Sequence, residues 1–263
     1  MRPTLFLHEI KRNKISLIVW SYAMAFMLGV CVVIFPEMQT QMGDISQMFA
    51  DMGAFSEAFG MDQLNFGEFI GYFGVECGNT LGIGGALLAG IVGITALSKE
   101  ERDGTAELLL TMPVSRVRII TEKLMFTVFH ILVVNLVVWA ACLVGVFATE
   151  IEVEYGKMLL ILFAYLLMQL EIAFVTFGIS AFLKNGGLGI GIGIGFGFYF
   201  MNIFANLAEE IEFIKYLTPF GFADSGHIIN EGSLEPISLI IGLAFSAAGI
   251  AIAYYQYNRK DIA

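Results

Sequence analysis

Charge is scarce in this chain. Only 14% of its 263 residues are Asp, Glu, Lys or Arg, against roughly a quarter in an average soluble domain. With 57% hydrophobic residues and a mean hydropathy of +0.78, the composition excludes an ordinary soluble globular protein. No stretch is long and polar enough to fold as a separate soluble domain, so any chemistry that needs one must come from a partner. A G-x-x-x-x-G-K-[ST] phosphate loop is also lacking. The nearest glycine runs, 78-GNTLGIGG-85 and 186-GGLGIGIGIGFG-197, hold no lysine and lie inside apolar segments. Cysteine is limited to Cys31, Cys77 and Cys142, an odd count with no metal-ligand spacing, which reads as small packing residues rather than a disulfide framework or a metal site. A cleavable signal peptide is not expected either, because the first apolar stretch is longer than a signal core and no small-residue cleavage site follows it.

What is present is a series of six apolar segments, each above the ~18 residues that a spanning helix needs. They are Ile15–Phe35, Cys77–Leu97, Leu124–Thr149, Met158–Leu183, Gly186–Ala208 and Pro236–Asn258. Separate spans of this kind must be helical, since unpaired backbone is not tolerated in lipid. Of the 14 Lys and Arg residues, 12 fall on one side of these spans, and only Lys157 and Lys215 fall on the other. The positive-inside rule then places both termini in the cytoplasm of a multi-pass protein of the cell membrane. The net charge of −10 follows from the outer segments, which carry 16 acidic against 2 basic residues. Acidity is thus a property of the outer surface and gives no reason to expect nucleic acid as a partner; membrane lipid is the expected surroundings.

Before the first span, Phe6, Leu7 and Ile10 share one helical face and His8, Glu9, Lys11 and Arg12 the other, the pattern of an interfacial (elbow) helix. Between spans 2 and 3 lies 99-KEERDGTAELLLTMPVSRVRI-119. Asp103, Gly104 and Thr105 supply turn and N-cap chemistry, and Glu107 suits the positive end of a helix dipole. Leu108, Leu109 and Met112 share one face at i, i+3 and i+4 spacing, and Pro113 ends the element. About two turns are too short to be stable alone in water. The expected helix, at about residues 104–112, needs lipid or a protein groove against its apolar face.

ERDGTAELLLTMPVSRVRIITEKL resembles the first long cytoplasmic loop of ABC-2-type permeases, the membrane subunits of ATP-binding cassette exporters. The matching positions are Glu101, Gly104, Thr105, Glu107, Leu108, Leu109, Leu110, Pro113, Val114, Ser115, Arg116, Lys123 and Leu124. Weaker resemblances are 55-FSEAFGMDQLNFGEFIGYFG-74, 216-YLTPFGFAD-224 and 258-NRKDIA-263. The resemblance implies a single ABC-2-type transmembrane domain over residues 1–263: all-α, with six transmembrane helices, the elbow helix and a short cytoplasmic coupling helix between spans 2 and 3. It further implies a coupling face of Leu108, Leu109 and Met112 docked on separate ATPase subunits, with Gly104 and Thr105 shaping the start and Arg116 anchoring the exit. ATP and Mg would be bound by those subunits and no cofactor by this chain, which is not expected to be an enzyme. A second permease chain, identical or different, would complete the transporter. Hydrophobic or amphipathic molecules (antibiotics, peptides or lipids) are the expected export substrates; a cation exporter, or a non-exporting sensory or copper-enzyme maturation component, are the alternatives.

Three further features bear on that expectation. Span 5 carries two G-x-x-x-G ladders, Gly187/Gly191/Gly195 and Gly189/Gly193/Gly197, on nearly opposite faces, which predicts close packing on two sides in a deformable helix. Glu171 in span 4 is an intramembrane charge and hence a functional candidate; the alternative is a hydrogen bond to Asn135 or His130 of span 3. The methionines Met38, Met42, Met48, Met52 and Met61 are soft donors suited to Cu(I), yet Met48 and Met52 fall on an amphipathic stripe with Ile45, Phe49 and Phe55, and the set is read as packing.

Overall fold

The computed structural model describes residues 4–50, 53, 56, 58, 64–106, 114–184, 186–207 and 209–260, with the side chains of 40–50, 209, 210 and 212 left out of account. The described residues form helices and turns, without a strand. In chain order the elements are α1 (Thr4–Arg12), α2 (Lys14–Ala50), α3 (Phe69–Cys77), a π-helical stretch (Gly78–Gly84), α4 (Gly85–Thr95) and α5 (Lys99–Arg102). They continue with α6 (Arg116–Thr149), α7 (Tyr155–Ser180), α8 (Leu188–Leu207), a 3-10 stretch (Glu209–Leu217), α9 (Ser225–Glu231) and α10 (Pro236–Arg259).

Six stretches are long and apolar enough to cross a membrane: Lys14–Gln39, Phe69–Thr95, Arg116–Thr149, Tyr155–Ser180, Leu188–Leu207 and Pro236–Arg259. They overlap the six expected from the sequence, but spans 2 and 3 each start earlier, span 3 at Arg116 rather than Leu124. Span 2 starts at Phe69 rather than Cys77, so Glu76 belongs to the spanning helix and not to the loop before it. Its charge ended the apolar run in the sequence, but the backbone ladder does not stop at a carboxylate.

Local sequence sets the helix ends. Ser115 caps α6 by accepting from Arg118 N, and Glu150, at φ 53°, closes that helix in the left-handed region. Asp224 caps α9 by accepting from Gly226 N at 2.9 Å. Glu235 caps α10 by accepting from Ser238 N at 2.5 Å, with Pro236 at the first helical position, where its missing N–H costs nothing.

Span 4 (α7) is the hub, packed against α4 on one side and α10 on the other, while α2 packs on α6 and α8 on α4. Within their apolar windows spans 2 and 4 are 67% and 61% buried, against 17% for span 5. Glycines permit these approaches. A Cβ on Gly178 would sit 2.6 Å from the Gly249 carbonyl oxygen, so α7 and α10 meet backbone to backbone. A Cβ on Gly93 or Gly85 would collide with Thr176 or Gln169 of α7.

Within the single chain, span 5 packs closely through one of its two glycine ladders. A Cβ on Gly191 would run into Gly90 and one on Gly195 would lie 3.0 Å from the Ala86 oxygen, so this ladder packs on α4. A Cβ on Gly189, Gly193 or Gly197 would meet no other element within 4 Å among the described residues. Gly187 precedes α8 and has φ 66°, a turn position rather than the first rung of a helical ladder.

Candidate functional site

The chemistry-bearing groups gather at the lysine- and arginine-rich end, around α5. α5 is four residues long, and Gly104, at φ 68°, turns the chain out of it. The amide of Thr105 donates to Glu100 O at 2.8 Å, and that of Gly104 to Glu101 O at 3.2 Å. Gly104 and Thr105 thus close the turn after α5. Ala106 is buried. Glu107, Leu108, Leu109, Met112 and Pro113, the body of the expected coupling helix, lie outside the described residues.

α5 is held by buried ion pairs of alternating sign. Lys99 pairs with Glu9 of α1, and Lys123 of α6 lies 3.6 Å from Glu9 and 2.5 Å from Glu100. The Lys123 ammonium also donates to Ala96 O at 2.6 Å. Glu101 pairs with Lys260, just past α10, at 2.5 Å, and Lys260 donates to Leu183 O at 2.6 Å. Arg12 reaches Asp103. The side chains of Lys123 and Glu9 are only 2% and 5% exposed, so each depends on its partner; an uncompensated charge there would cost several kcal/mol, about 3–5. Burial pushes the Glu9 carboxyl up, but Lys123 and Lys99 outweigh it and hold the group below its ordinary 4.5. Lys99 is held below its ordinary 10.5 by burial and by the Lys123 charge, against the opposing pull of Glu9.

Glu9 corrects the expected face of α1. It is buried, whereas Leu7 is half exposed. The inward face is Leu5, Phe6 and Glu9, with the Phe6 ring edge-on to Phe129 at 5.5 Å. Glu122 accepts from the amides of Leu5 and Phe6 at 2.8 and 3.0 Å, serving the otherwise unpaired first turn of α1. Arg116 donates to the carbonyls of Tyr257, Asn258 and Lys260 at 3.1, 3.2 and 2.7 Å. It therefore ties the exit of the 107–113 segment to the end of span 6. The positions flanking that segment are thus fixed to α1, span 3 and span 6 together.

The intramembrane polar candidates do not form one group. Asn135 donates to Gln169 of α7 at 2.7 Å and to Ile131 O at 2.9 Å. Glu171 faces the other way, where a Cβ on Gly242 of α10 would strike its carboxyl, and its Oε2 has no hydrogen-bond partner among the described residues. His130 packs edge-on to Phe126 at 5.6 Å and borders the small cavity that Glu9, Lys99 and Lys123 also line.

Sequence reasoning missed Glu9, Lys99, Glu100 and Lys260 as a cluster, because residues distant in sequence carry it. Gln169 and Glu76 were visible as polar residues at or within apolar runs. The Glu76 carboxylate accepts from Cys31 Sγ at 3.4 Å, next to the π-helical stretch. Cys77 and Cys142 are buried in the core. Met38 packs on that core; the side chains of Met42 and Met48, and residues Met52 and Met61, lie outside the described residues.

No curated protein matches this chain. The family described as ABC-2 family transporter protein matches residues 4–262. Its members are membrane permease components of ABC transporters, which in general associate with ABC ATPase subunits and dimerise, and which generally are not catalytic themselves. With six apolar helices and a match over nearly its whole length, this chain belongs to the ABC-2 family of transporter permeases.

Proposed function

We propose that this chain is the permease subunit of an ABC exporter of the cell membrane, with both termini cytoplasmic. It moves a hydrophobic or amphipathic molecule outward, powered by a separate ATPase subunit that binds ATP and Mg and docks on residues 104–112. The observation that carries this reading is the buried ionic network around α5. Lys99, Glu100 and Glu101 are each paired to a different part of the bundle, so a push on the segment they lead into is felt by α1, span 3 and the end of span 6. Arg116 makes the same connection on the far side. A solvated loop would have no need of buried charge pairs, whose desolvation is costly. The bias of basic residues to this end supports its cytoplasmic placement. The open ladder Gly189/Gly193/Gly197 of span 5 supports close approach of a second permease chain.

The test is affinity purification of the chain from native membranes beside a Leu108→Asp, Met112→Asp variant, with mass spectrometry and an ATPase assay on both. The expected outcome is a cytoplasmic ATPase retained by the wild type and lost from the variant. Absence of an ATPase from the wild-type preparation would overturn the reading.

A further inference from the structure

At the acidic end of the bundle, opposite the ionic network, the last two turns of α8 face a cavity of about 80 Å³. Its other walls are α3, the start of the π-helical stretch, Tyr165 of α7 and the segment that leads into α9. We propose that this cavity binds the primary ammonium headgroup of an amphipathic substrate. The proposal rests on the exporter reading above and names the substrate class that reading leaves open.

Asn202 and Asn206, one helical turn apart, both line the cavity. Asn206 Nδ2 donates to Ala58 O at 3.2 Å, which fixes the amide and leaves its oxygen free. The Oδ1 atoms of both residues are buried without a hydrogen-bond partner among the described residues. Two unpaired buried acceptors call for a donor. The described lining includes the Asp224 carboxylate and no lysine or arginine. Asp224 caps α9 through Oδ1, and its Oδ2 lies 3.8 Å from Lys215, too far for a hydrogen bond. Tyr199 and Phe220 form an aromatic wall, edge to face at 5.7 Å, which suits a cation. An anion would face the Asp224 carboxylate and two unpaired amide oxygens, with no lysine or arginine in the described lining to offset them. A primary ammonium brings three N–H donors and no acceptor. The volume admits a headgroup but not an alkyl chain, which would extend past Ile203 toward lipid.

The probe is octylammonium, titrated by calorimetry into the full chain in zwitterionic lipid nanodiscs, beside octyltrimethylammonium and octyl sulfate. Saturable octylammonium binding is expected, at least tenfold tighter than the trimethyl compound, which has the charge without N–H donors. Asn202→Leu with Asn206→Leu should weaken it at least tenfold at an unchanged melting midpoint. Asn202→Asp, which keeps the shape and adds charge, should tighten it at least threefold, and it serves if the double variant does not fold. Non-saturable uptake, equal binding of octyl sulfate, or affinities unmoved by Asn202→Asp would overturn the proposal and leave a merely hydrated cavity. ATPase retention is scored on the same preparations. An ATPase retained without ammonium binding sinks only the headgroup assignment, whereas a wild type without ATPase sinks the exporter reading itself.

Discussion

Lys123 is the residue on which most of the buried charge turns, since it sits between Glu9 and Glu100 and also caps the end of span 2 through Ala96 O. Lys123→Met leaves two carboxylates short of a cation at a nearly fully buried position. The expected loss is about 3–5 kcal/mol, read as a lowered melting midpoint in detergent, and a loss under ~1 kcal/mol would show that the pairs are exchangeable with water. Glu9 gives the acid limb its direction. Its folded value lies below 4.5, so its contribution is complete above that pH and is lost as pH falls through the folded value. Lys99 acts oppositely: its lowered value makes its charge unfavourable at neutral pH, a cost relieved as pH rises toward 10.5. Glu9→Gln should therefore show a shallower decline of stability between neutral and acid pH than the wild type, measured by the unfolding midpoint across that range. Glu171 is separate from this network. Glu171→Gln is expected to impair transport and its pH dependence without loss of folded protein; an unchanged transport rate and pH profile would remove its functional role.

At the scale of elements, the glycines of span 6 and span 2 are what let span 4 sit at the centre. Gly249→Val places a branched side chain against the Phe174 carbonyl and the Val175 backbone. Backbone cannot yield as a flexible side chain does, so the pair α7–α10 must separate, at about 1–3 kcal/mol or more. Gly193→Ala, in the open ladder, meets nothing within 4 Å and should leave the midpoint of a lone chain unchanged or slightly raised, through better helix propensity. The two substitutions are to be compared by thermal unfolding of matched monodisperse preparations; equal effects would mean that the backbone contact at Gly249 matters no more than the open face at Gly193.

For the whole molecule, the proposed orientation, with the basic end in the cytoplasm, makes a labelling prediction. In a background lacking the three native cysteines, Lys11→Cys and Glu231→Cys should label differently with a membrane-impermeant maleimide. Labelling of Glu231→Cys in intact cells, and of Lys11→Cys only after permeabilisation, is the expected pattern; the reverse would invert the bundle and put the α5 network outside. Both positions are exposed, so access to the thiol is not limited by packing.

Six spans, their helical nature and the bias of charge were legible in the sequence because lipid imposes them locally: a spanning segment must be apolar for its whole length and must satisfy its own backbone. The family resemblance was legible in residues 101–124, whereas the apolar face expected at Leu108, Leu109 and Met112 lies outside the described residues. What periodicity could not reveal was which polar residue meets which. Glu9 reads as the wet face of α1, and it is buried because Lys99 and Lys123, 90 and 114 positions along the chain, converge on it. Asn135 was one of two partners offered for Glu171 in the alternative reading, yet Gln169, two positions earlier, is roughly half a helical circumference away and faces span 3 instead. Gly189 and Gly191 look alike in sequence, and only the packing of α8 on α4 makes one a contact and leaves the other open. Sequence determined that this chain crosses a membrane six times as helices, because each span answers to lipid alone. Only the tertiary structure decided the partners of its buried charges, because those depend on how the spans are rotated against one another.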